Sequence, residues 1–181
     1  MHPLPLRTPS LLLRHFIRAD APRLMALNGE ASTRRWLPSH VYADLAEAQA
    51  ALDFLIKCYS SPGDPRRGPY VLGVEHAESA QLLGHVGFSA LDDDVEVSYA
   101  IAESARGRGY GAEALQHACR WAFAAFALPR IVAVTALANA SSRRTLDRAG
   151  FGHAASQLMR FQGIEQTVSR HVWLRPPEEH P

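Results

Sequence analysis

The segment that decides the fold is Glu96-Val97-Ser98-Tyr99-Ala100-Ile101, which leads into Arg106-Gly107-Arg108-Gly109-Tyr110-Gly111. The first part alternates polar and apolar residues with period two, as a half-buried strand does. The second part places alternate glycines directly before the clearest amphipathic helix pattern of the chain. Such glycines let consecutive backbone N–H groups face an anion, and a helix N-terminus adds the positive end of its dipole. The loop is therefore predicted to hold a diphosphate, with Arg106 and Arg108 strengthening the positive field.

The segments on either side alternate between strand-like and helix-like patterns. Apolar runs predict strands near 11–17, 70–74, 82–88, 95–101, 130–136, 153–161 and 167–174. Helical periodicity predicts helices after Asp20, which is the candidate N-cap, over 43–59, from the glycine loop to Pro129, and from Asn139 to the C-cap residue Gly150. The segment 34–38 interrupts the helical pattern, and the proline-rich segment 60–69 is a loop. Polar turns join the strands between 70 and 101, which favours antiparallel hairpins there.

Composition limits the classes of function. The 181 residues, 47% of them hydrophobic, can bury a core, so we interpret 1–175 as one domain and 176–181 as a flexible tail. A net charge of +1 gives no field that would attract nucleic acid or an anionic membrane. Lys57 is the only lysine, which excludes a P-loop. Cys58 and Cys119 form no CxxC pair, and no metal site is expected. With no signal-peptide core and no long apolar run, the chain is predicted to be cytoplasmic.

Two kinds of diphosphate ligand fit the glycine loop. Gly107-x-Gly109-x-x-Ala112 formally satisfies the dinucleotide fingerprint of a Rossmann fold. That fold uses an acidic residue about 20 residues beyond the loop to hold the ribose. No Asp or Glu lies between Glu113 and Asp147, and the preceding strands pattern as hairpins. A dinucleotide-binding protein is therefore the remote alternative.

The second kind of ligand follows from a family resemblance. Arg106-x-x-Gly109-x-Gly111 is similar to the Q/R-x-x-G-x-G/A loop of the GNAT acyltransferase superfamily, which binds the pyrophosphate of acetyl-CoA. Glu96–Ile101 resembles the family's fourth strand, and Asn139-x-x-Ser142 followed by Ala149-Gly150-Phe151 resembles its N-x-x-S … GF signature. Thr8–Arg14 resembles the T-P-R-L-x-L-R opening of the ribosomal-protein-alanine N-acetyltransferase branch, with Ser10 in place of the first arginine.

The resemblance implies a fold and a donor. The expected fold is α/β (α+β), a mixed and mainly antiparallel central sheet of about seven strands flanked by helices on both faces. Acetyl-CoA is the expected co-substrate, without a metal, and dimers are common in the family. The backbone amides of Arg106, Gly107, Arg108, Gly109, Tyr110 and Gly111 would hold the pyrophosphate. The main chain of Tyr99, Ala100 and Ile101, together with Asn139, would contact the pantetheine arm.

The resemblance also assigns catalytic roles. Glu96 is the candidate general base, acting directly or through a water, although a salt-bridged strand glutamate would look the same in sequence. His85 and His153 are weaker candidates for that role. Many family members use a tyrosine on the helix after the asparagine to protonate the thiolate, but Leu146 stands at its expected position. The branch places a serine three residues after the asparagine, so Ser142 is the candidate thiolate partner; a serine there also suits a helix start.

The acceptor is a primary amine, either a protein N-terminus or a small molecule. Arg34, Arg35 and Trp36 could recognise an acidic or aromatic acceptor, and surface charges beside a core tryptophan are the equal alternative. A non-catalytic acetyl-CoA sensor with the same fold is the alternative from another functional class.

Overall fold

The strands and the helices occupy most of residues 4–177, which are the residues that the computed structural model describes. The strands are β1 (Leu6–Arg7), β2 (Leu11–Arg14), β3 (Tyr70–His76), β4 (Leu82–Leu91), β5 (Asp94–Ile101), β6 (Arg130–Ala136), β7 (Gly152–Phe161) and β8 (Ile164–Leu174). They form one sheet in the order β1-β2-β3-β4-β5-β6-β8-β7. Only β5 and β6 pair in parallel in this sheet of described strands. The mixed, mainly antiparallel sheet is confirmed, with the short β1 added at one edge.

The helices are α1 (Ala21–Asn28), α2 (Ala31–Trp36), α3 (Leu45–Cys58), α4 (Tyr110–Phe126) and α5 (Ala140–Ala149). Local signals set several of their ends. The Asp44 side chain accepts a hydrogen bond from the Glu47 backbone N–H at the start of α3, as an N-cap does. Gly150 adopts the left-handed region at φ 109° and ends α5, as the sequence predicts. Among the described helices, none combines the length and the apolarity needed to cross a bilayer.

Three local predictions differ from the structure. The expected interruption at 34–38 is wrong in part, because α2 continues to Trp36. Asp20 precedes α1 but makes no capping hydrogen bond, because its carboxylate binds the Arg14 guanidinium and the Ile17 N–H. Helix α4 ends at Phe126, before Pro129, because Ala127 already takes the left-handed conformation. The predicted tail, 176–181, lies mostly outside the described residues.

The two faces of the sheet carry different helices. On β5, Val95 and Val97 are buried on the face that also carries Ile101, and Gly111 of α4 lies beside Ile101 there. Because side chains alternate along a strand, Glu96 and Ser98 point to the opposite face, which α1 and α3 cover. This alternation places the candidate base on the α1/α3 face.

The centre of the sheet opens between β5 and β6. Their parallel pairing is confined to Glu96 opposite Val132, whereas β4 and β5 pair continuously from Leu91 to Gly84. The continuous pairing requires a glycine, since a Cβ on Gly84 would lie 2.0 Å from the Ala100 carbonyl oxygen. Strand β5 is thus hydrogen-bonded to β4 along its length on one side, whereas on the other side it separates from β6 beyond Glu96.

Candidate active site

The glycine loop leaves its backbone open at the N-terminus of α4. Gly107 and Gly109 adopt φ values of 77° and 87°, which glycine reaches without steric cost, and nothing lies within 4 Å of a Cβ built at either position. The loop borders a cavity of ≈ 340 Å³, here called the loop cleft, which Trp36, Ile101 and Asn139 also line. An anion in this cleft would face the open backbone and the positive end of the α4 dipole.

The arginines near the loop cleft differ in whether they line it. The Arg106 Nε donates to the Ile101 carbonyl over 2.9 Å, so this guanidinium ties the loop to the end of β5. Arg144 and Arg148 of α5 line the cleft from the other side. Arg108 is exposed and does not line it. The positive charge that faces the cleft therefore comes from α5 as well as from the loop.

A second cavity, here called the strand cleft, lies where β5 and β6 diverge. It measures ≈ 260 Å³ and is lined by Glu96, Tyr99, Val134 and Ser142 among others. Burial raises the pKa of Glu96 above its ordinary value, although the Val134 backbone N–H donates to its carboxylate and Arg170 lies near. A carboxyl group with a raised pKa inside a cleft is suited to accepting a proton near neutral pH.

Ser142 is positioned by two contacts. Its backbone N–H donates to Asn139 Oδ1 over 3.1 Å at the start of α5, so Asn139 is the cap of this helix. Its side-chain oxygen lies 3.1 Å from the Tyr99 hydroxyl, which donates to it. Leu146 also lines the strand cleft and is buried, so the position of the usual family tyrosine carries no proton donor here. The Tyr99–Ser142 contact has no signal in the sequence, because the two residues are far apart along the chain.

The remaining predicted residues differ in which of the two clefts they line. Tyr99, Ala100 and Ile101 all line the loop cleft, and Trp36 lines both clefts with the Arg35 guanidinium 4.5 Å from its ring centroid. Arg34 is exposed and lines neither of the two clefts.

Neither alternative base candidate lies in the strand cleft. His153 is exposed on the edge strand β7, where its Nε2 lies 3.1 Å from the Ser156 hydroxyl. His85 is buried, and burial together with His40 lowers its pKa to about 3. A group that binds a proton so weakly is a poor base at neutral pH. Of the three base candidates, Glu96, His85 and His153, only Glu96 lines the strand cleft.

A third cavity, here called the apolar pocket, lies on the α1/α3 face of the sheet. It measures ≈ 290 Å³ and is lined by residues of α1, α3, β3, β4 and β5, including Asn28 and His85. It shares Ser39, His40, Ser89 and Ser98 with the strand cleft. No motif in the sequence indicates this pocket, because its walls come from segments that are distant in the chain. Within residues 4–177, no group of three or more His, Cys, Asp or Glu side chains could hold a metal ion.

Known proteins resemble this chain in sequence and in fold. The profile of the acetyltransferase (GNAT) domain matches residues 10–152. The uncharacterized N-acetyltransferase YoaA of Bacillus subtilis (strain 168) is 27% identical over 149 residues, 81% of this chain and 81% of that protein. The ribosomal-protein-S5-alanine acetyltransferase of Vibrio fischeri has a TM-score of 0.78 at 17% identity, covering 97% of this chain and 98% of that one. RimL, a ribosomal L7/L12 α-N-protein acetyltransferase in complex with coenzyme A, has a TM-score of 0.79 at 17% identity, covering 94% and 97%.

Proposed function

This chain belongs to the GNAT acetyltransferase family, and we propose that it transfers the acetyl group of acetyl-CoA directly to a primary amine. One observation carries it: the loop cleft and the strand cleft share Trp36, Leu37, Tyr99 and Ser142, so they adjoin each other along these residues. A donor whose pyrophosphate lies at Gly107–Gly111 can therefore extend its thioester toward Glu96.

The residues of the loop cleft fit acetyl-CoA. The open backbone at Gly107 and Gly109 and the N-terminus of α4 suit a pyrophosphate. The guanidinium groups of Arg144 and Arg148, which also line the cleft, suit the phosphate group of acetyl-CoA that lies outside the pyrophosphate. The backbone of β5 beyond Glu96 is not paired with β6, so it is available to the amide groups of a pantetheine arm. RimL is similar in fold and is complexed with coenzyme A, which supports the same ligand here.

Catalysis would proceed in a ternary complex without an acyl-enzyme. The amine nitrogen attacks the thioester carbonyl carbon, a C–N bond forms, the C–S bond breaks, and CoA leaves as a thiolate. The Glu96 carboxylate takes the proton that the amine loses, directly or through a water. The Ser142 hydroxyl gives a proton to the thiolate and regains one from Tyr99, whose hydroxyl donates to it. The Tyr99 phenolate then recovers a proton from solvent, and the protonated Glu96 releases to solvent the proton that it took from the amine. The products are the acetylated amine and CoA thiol.

The pKa of the acceptor amine determines what fraction of it is already neutral and able to attack without losing a proton to a base. A protein α-amine titrates near 7.7–8.0, whereas a lysine amine titrates near 10.4, so about a tenth of the former but almost none of the latter is neutral at pH 7. The fold similarity to ribosomal-protein acetyltransferases supports an N-terminal acceptor, and the apolar pocket supports a small amine equally well.

The test is acetyl-CoA-dependent thiol release with a panel of N-terminal peptides beside a panel of free amines, with the acetylated product identified by mass spectrometry. We expect turnover with at least one class of amine. Glu96→Gln and Ser142→Ala should lose turnover and keep acetyl-CoA binding. A wild-type protein that binds acetyl-CoA and acetylates no amine in either panel would instead support the sensor alternative.

A further inference from the structure

The apolar pocket contains buried polar atoms that lack partners. Asn28 is 1% exposed and His85 is 3% exposed. Asn28 Oδ1 and both ring nitrogens of His85 have no hydrogen-bond partner within the described part of the chain. Asn28 does hydrogen-bond the Tyr42 hydroxyl, which leaves the amide oxygen available. Buried polar groups are nearly always satisfied in proteins, so unsatisfied atoms on two residues that line the same cavity point to a ligand.

The same pocket offers no countercharge. No Asp, Glu, Lys or Arg of residues 4–177 lines it. Its two histidines, His40 and His85, have pKa values lowered by burial and are neutral near pH 7. Burying a charged group without a partner is costly, so the pocket disfavours charged ligands. Its walls are largely apolar and include Phe16, Leu24, Tyr42, Phe54, Leu55 and Val71.

The apolar pocket adjoins the strand cleft. Ser98 lines both the apolar pocket and the strand cleft, and Glu96 lies two residues away on the same face of β5. Residues at i and i+2 of a strand are about 7 Å apart. An amine placed at Glu96 can therefore carry a group that enters the apolar pocket after a short spacer.

We propose that the apolar pocket selects the acceptor amine by an uncharged, ring-sized side group that bears a hydroxyl or amide and hydrogen-bonds Asn28 and His85. This inference rests on the proposed acetyl transfer and adds the substrate class to it. A neutral imidazole offers one donor and one acceptor, and Asn28 Oδ1 accepts. A phenol or an amide both donates and accepts, so it satisfies these atoms where a plain hydrocarbon ring does not.

Four free amines test the preference: 4-hydroxyphenylethylamine, 2-phenylethylamine, 4-(2-aminoethyl)benzoate and 1,4-diaminobutane. We expect kcat/KM for the phenol to exceed that for the plain ring by roughly tenfold and that for the benzoate by roughly a hundredfold or more. Peptides that begin with Tyr, Phe or Asp form a second arm, which tells whether the side group belongs to a small amine or to an N-terminal residue. Preference for the benzoate or for the diamine would overturn the proposal.

Variants locate the effect in the pocket. Ala51→Phe fills the pocket from α3, whereas Ala50→Phe adds the same ring at an exposed neighbour that does not line it. We expect kcat/KM for 4-hydroxyphenylethylamine to fall at least about tenfold in A51F and to stay at the wild-type value in A50F. His85→Leu should remove the preference for phenol over plain ring, so that the ratio of kcat/KM for 4-hydroxyphenylethylamine to that for 2-phenylethylamine falls to about one. Equal behaviour of A51F and A50F would contradict the assignment.

Binding separates this inference from the proposed function. Calorimetry with 4-hydroxyphenylethylamine on protein saturated with CoA reports the pocket without any turnover. Binding to wild type and A50F, but not to A51F, supports the pocket even if no amine is acetylated. Turnover of amines combined with no effect of A51F on binding would overturn the pocket and leave the proposed acetyl transfer intact.

Discussion

The Tyr99 hydroxyl donates a hydrogen bond to the Ser142 hydroxyl over 3.1 Å, which joins β5 to the first turn of α5 across the two clefts. Burial raises the pKa of Tyr99, although its hydrogen bonds with Ser142 and Thr145 act in the opposite direction. Tyr99 therefore stays protonated near neutral pH and can replace a proton that Ser142 gives away. The proton donor of this enzyme would thus be a pair of hydroxyls on two elements, in place of a single tyrosine on the helix.

Removing the two hydroxyls should affect turnover to different extents. Ser142→Ala removes the direct thiolate partner and should lower kcat by about a hundredfold, the usual range for a lost general acid. Tyr99→Phe removes one hydrogen bond and should lower kcat by about tenfold or less. Steady-state kinetics with calorimetric acetyl-CoA binding measure both effects. Loss of binding in Ser142→Ala, with kcat unchanged at saturation, would contradict the role of this hydroxyl.

Glu96 should set one limb of the pH profile. Burial raises its pKa, and a base works only when it is deprotonated, so kcat should fall as the pH drops through that raised pKa. Glu96→Gln should lower kcat by at least about a hundredfold and abolish this limb. Two acceptors with different amine pKa values provide the control, because a limb due to the amine moves with the acceptor and one due to Glu96 does not. An acidic limb that moves fully with the pKa of the acceptor would exclude Glu96 as the group that sets it.

Gly84 should be required for the tight pairing of β4 with β5. Gly84→Ala places a Cβ 2.0 Å from the Ala100 carbonyl oxygen, so the strands must shift. We expect a loss of about 1–3 kcal/mol in the free energy of unfolding, as for other overpacked sites. Gly152→Ala is the matched control, since its nearest atom would lie 3.8 Å away. Urea unfolding of both variants measures the difference, and equal stabilities would show that the close approach has no energetic consequence.

The ion pair of Arg14 with Asp20 should contribute more to stability than the exposed pair of Arg18 with Asp53. The Arg14 and Asp20 side chains are 19% and 9% exposed, against 81% and 44% for the other pair. Asp20→Ala should cost about 2 kcal/mol in the free energy of unfolding, since Arg14 keeps its bond to Glu75. Asp53→Ala should cost less than about 1 kcal/mol.

The pH dependence of the Asp20 effect gives a second check. Burial alone would raise the pKa of Asp20, but hydrogen bonds from Arg14 and from the Ile17 N–H outweigh it and lower the pKa. A lowered pKa in the folded state stabilises the protein above the unfolded value of about 3.9, and this contribution is lost as the pH falls further. The difference between wild type and Asp20→Ala should therefore shrink in acid. A difference that grows in acid would contradict this assignment.

The sequence predicts those parts of the fold that local signals determine. The glycine loop, the hairpins from β3 to β5 and the limits of α5 depend on glycine conformations, polar turns and the Asn139 cap, all of which are visible in short segments. Helix α2 is different, because tertiary contacts hold it. The Ser32 N–H donates to the carboxylate of Glu103, which lies just beyond the end of β5, and the Glu103 N–H donates to the carboxylate of Glu30, directly before α2.

The same distinction applies to the site. Candidate residues on one motif, such as Glu96 or Ser142, could be proposed from the family resemblance because each stands at a fixed place in its motif. The contact of Tyr99 with Ser142 and the pocket around Asn28 and His85 depend on how distant segments pack. No spacing in the sequence encodes that packing, so these features had to be read from the structure.

Calorimetric binding of acetyl-CoA to wild type, Gly109→Glu and Gly163→Glu tests the central claim most directly, with NAD as the control ligand. Gly109 and Gly163 both have positive φ values, 87° and 84°, and both have open space around them, but Gly163 lies in the turn between β7 and β8. The backbone strain of the two substitutions should therefore be similar, while only Gly109→Glu places a side chain and a negative charge in the loop. We expect micromolar binding of acetyl-CoA to wild type and to Gly163→Glu, no binding to Gly109→Glu, and no binding of NAD. Binding of NAD in place of acetyl-CoA, or equal acetyl-CoA binding by both variants, would contradict the assignment of this loop.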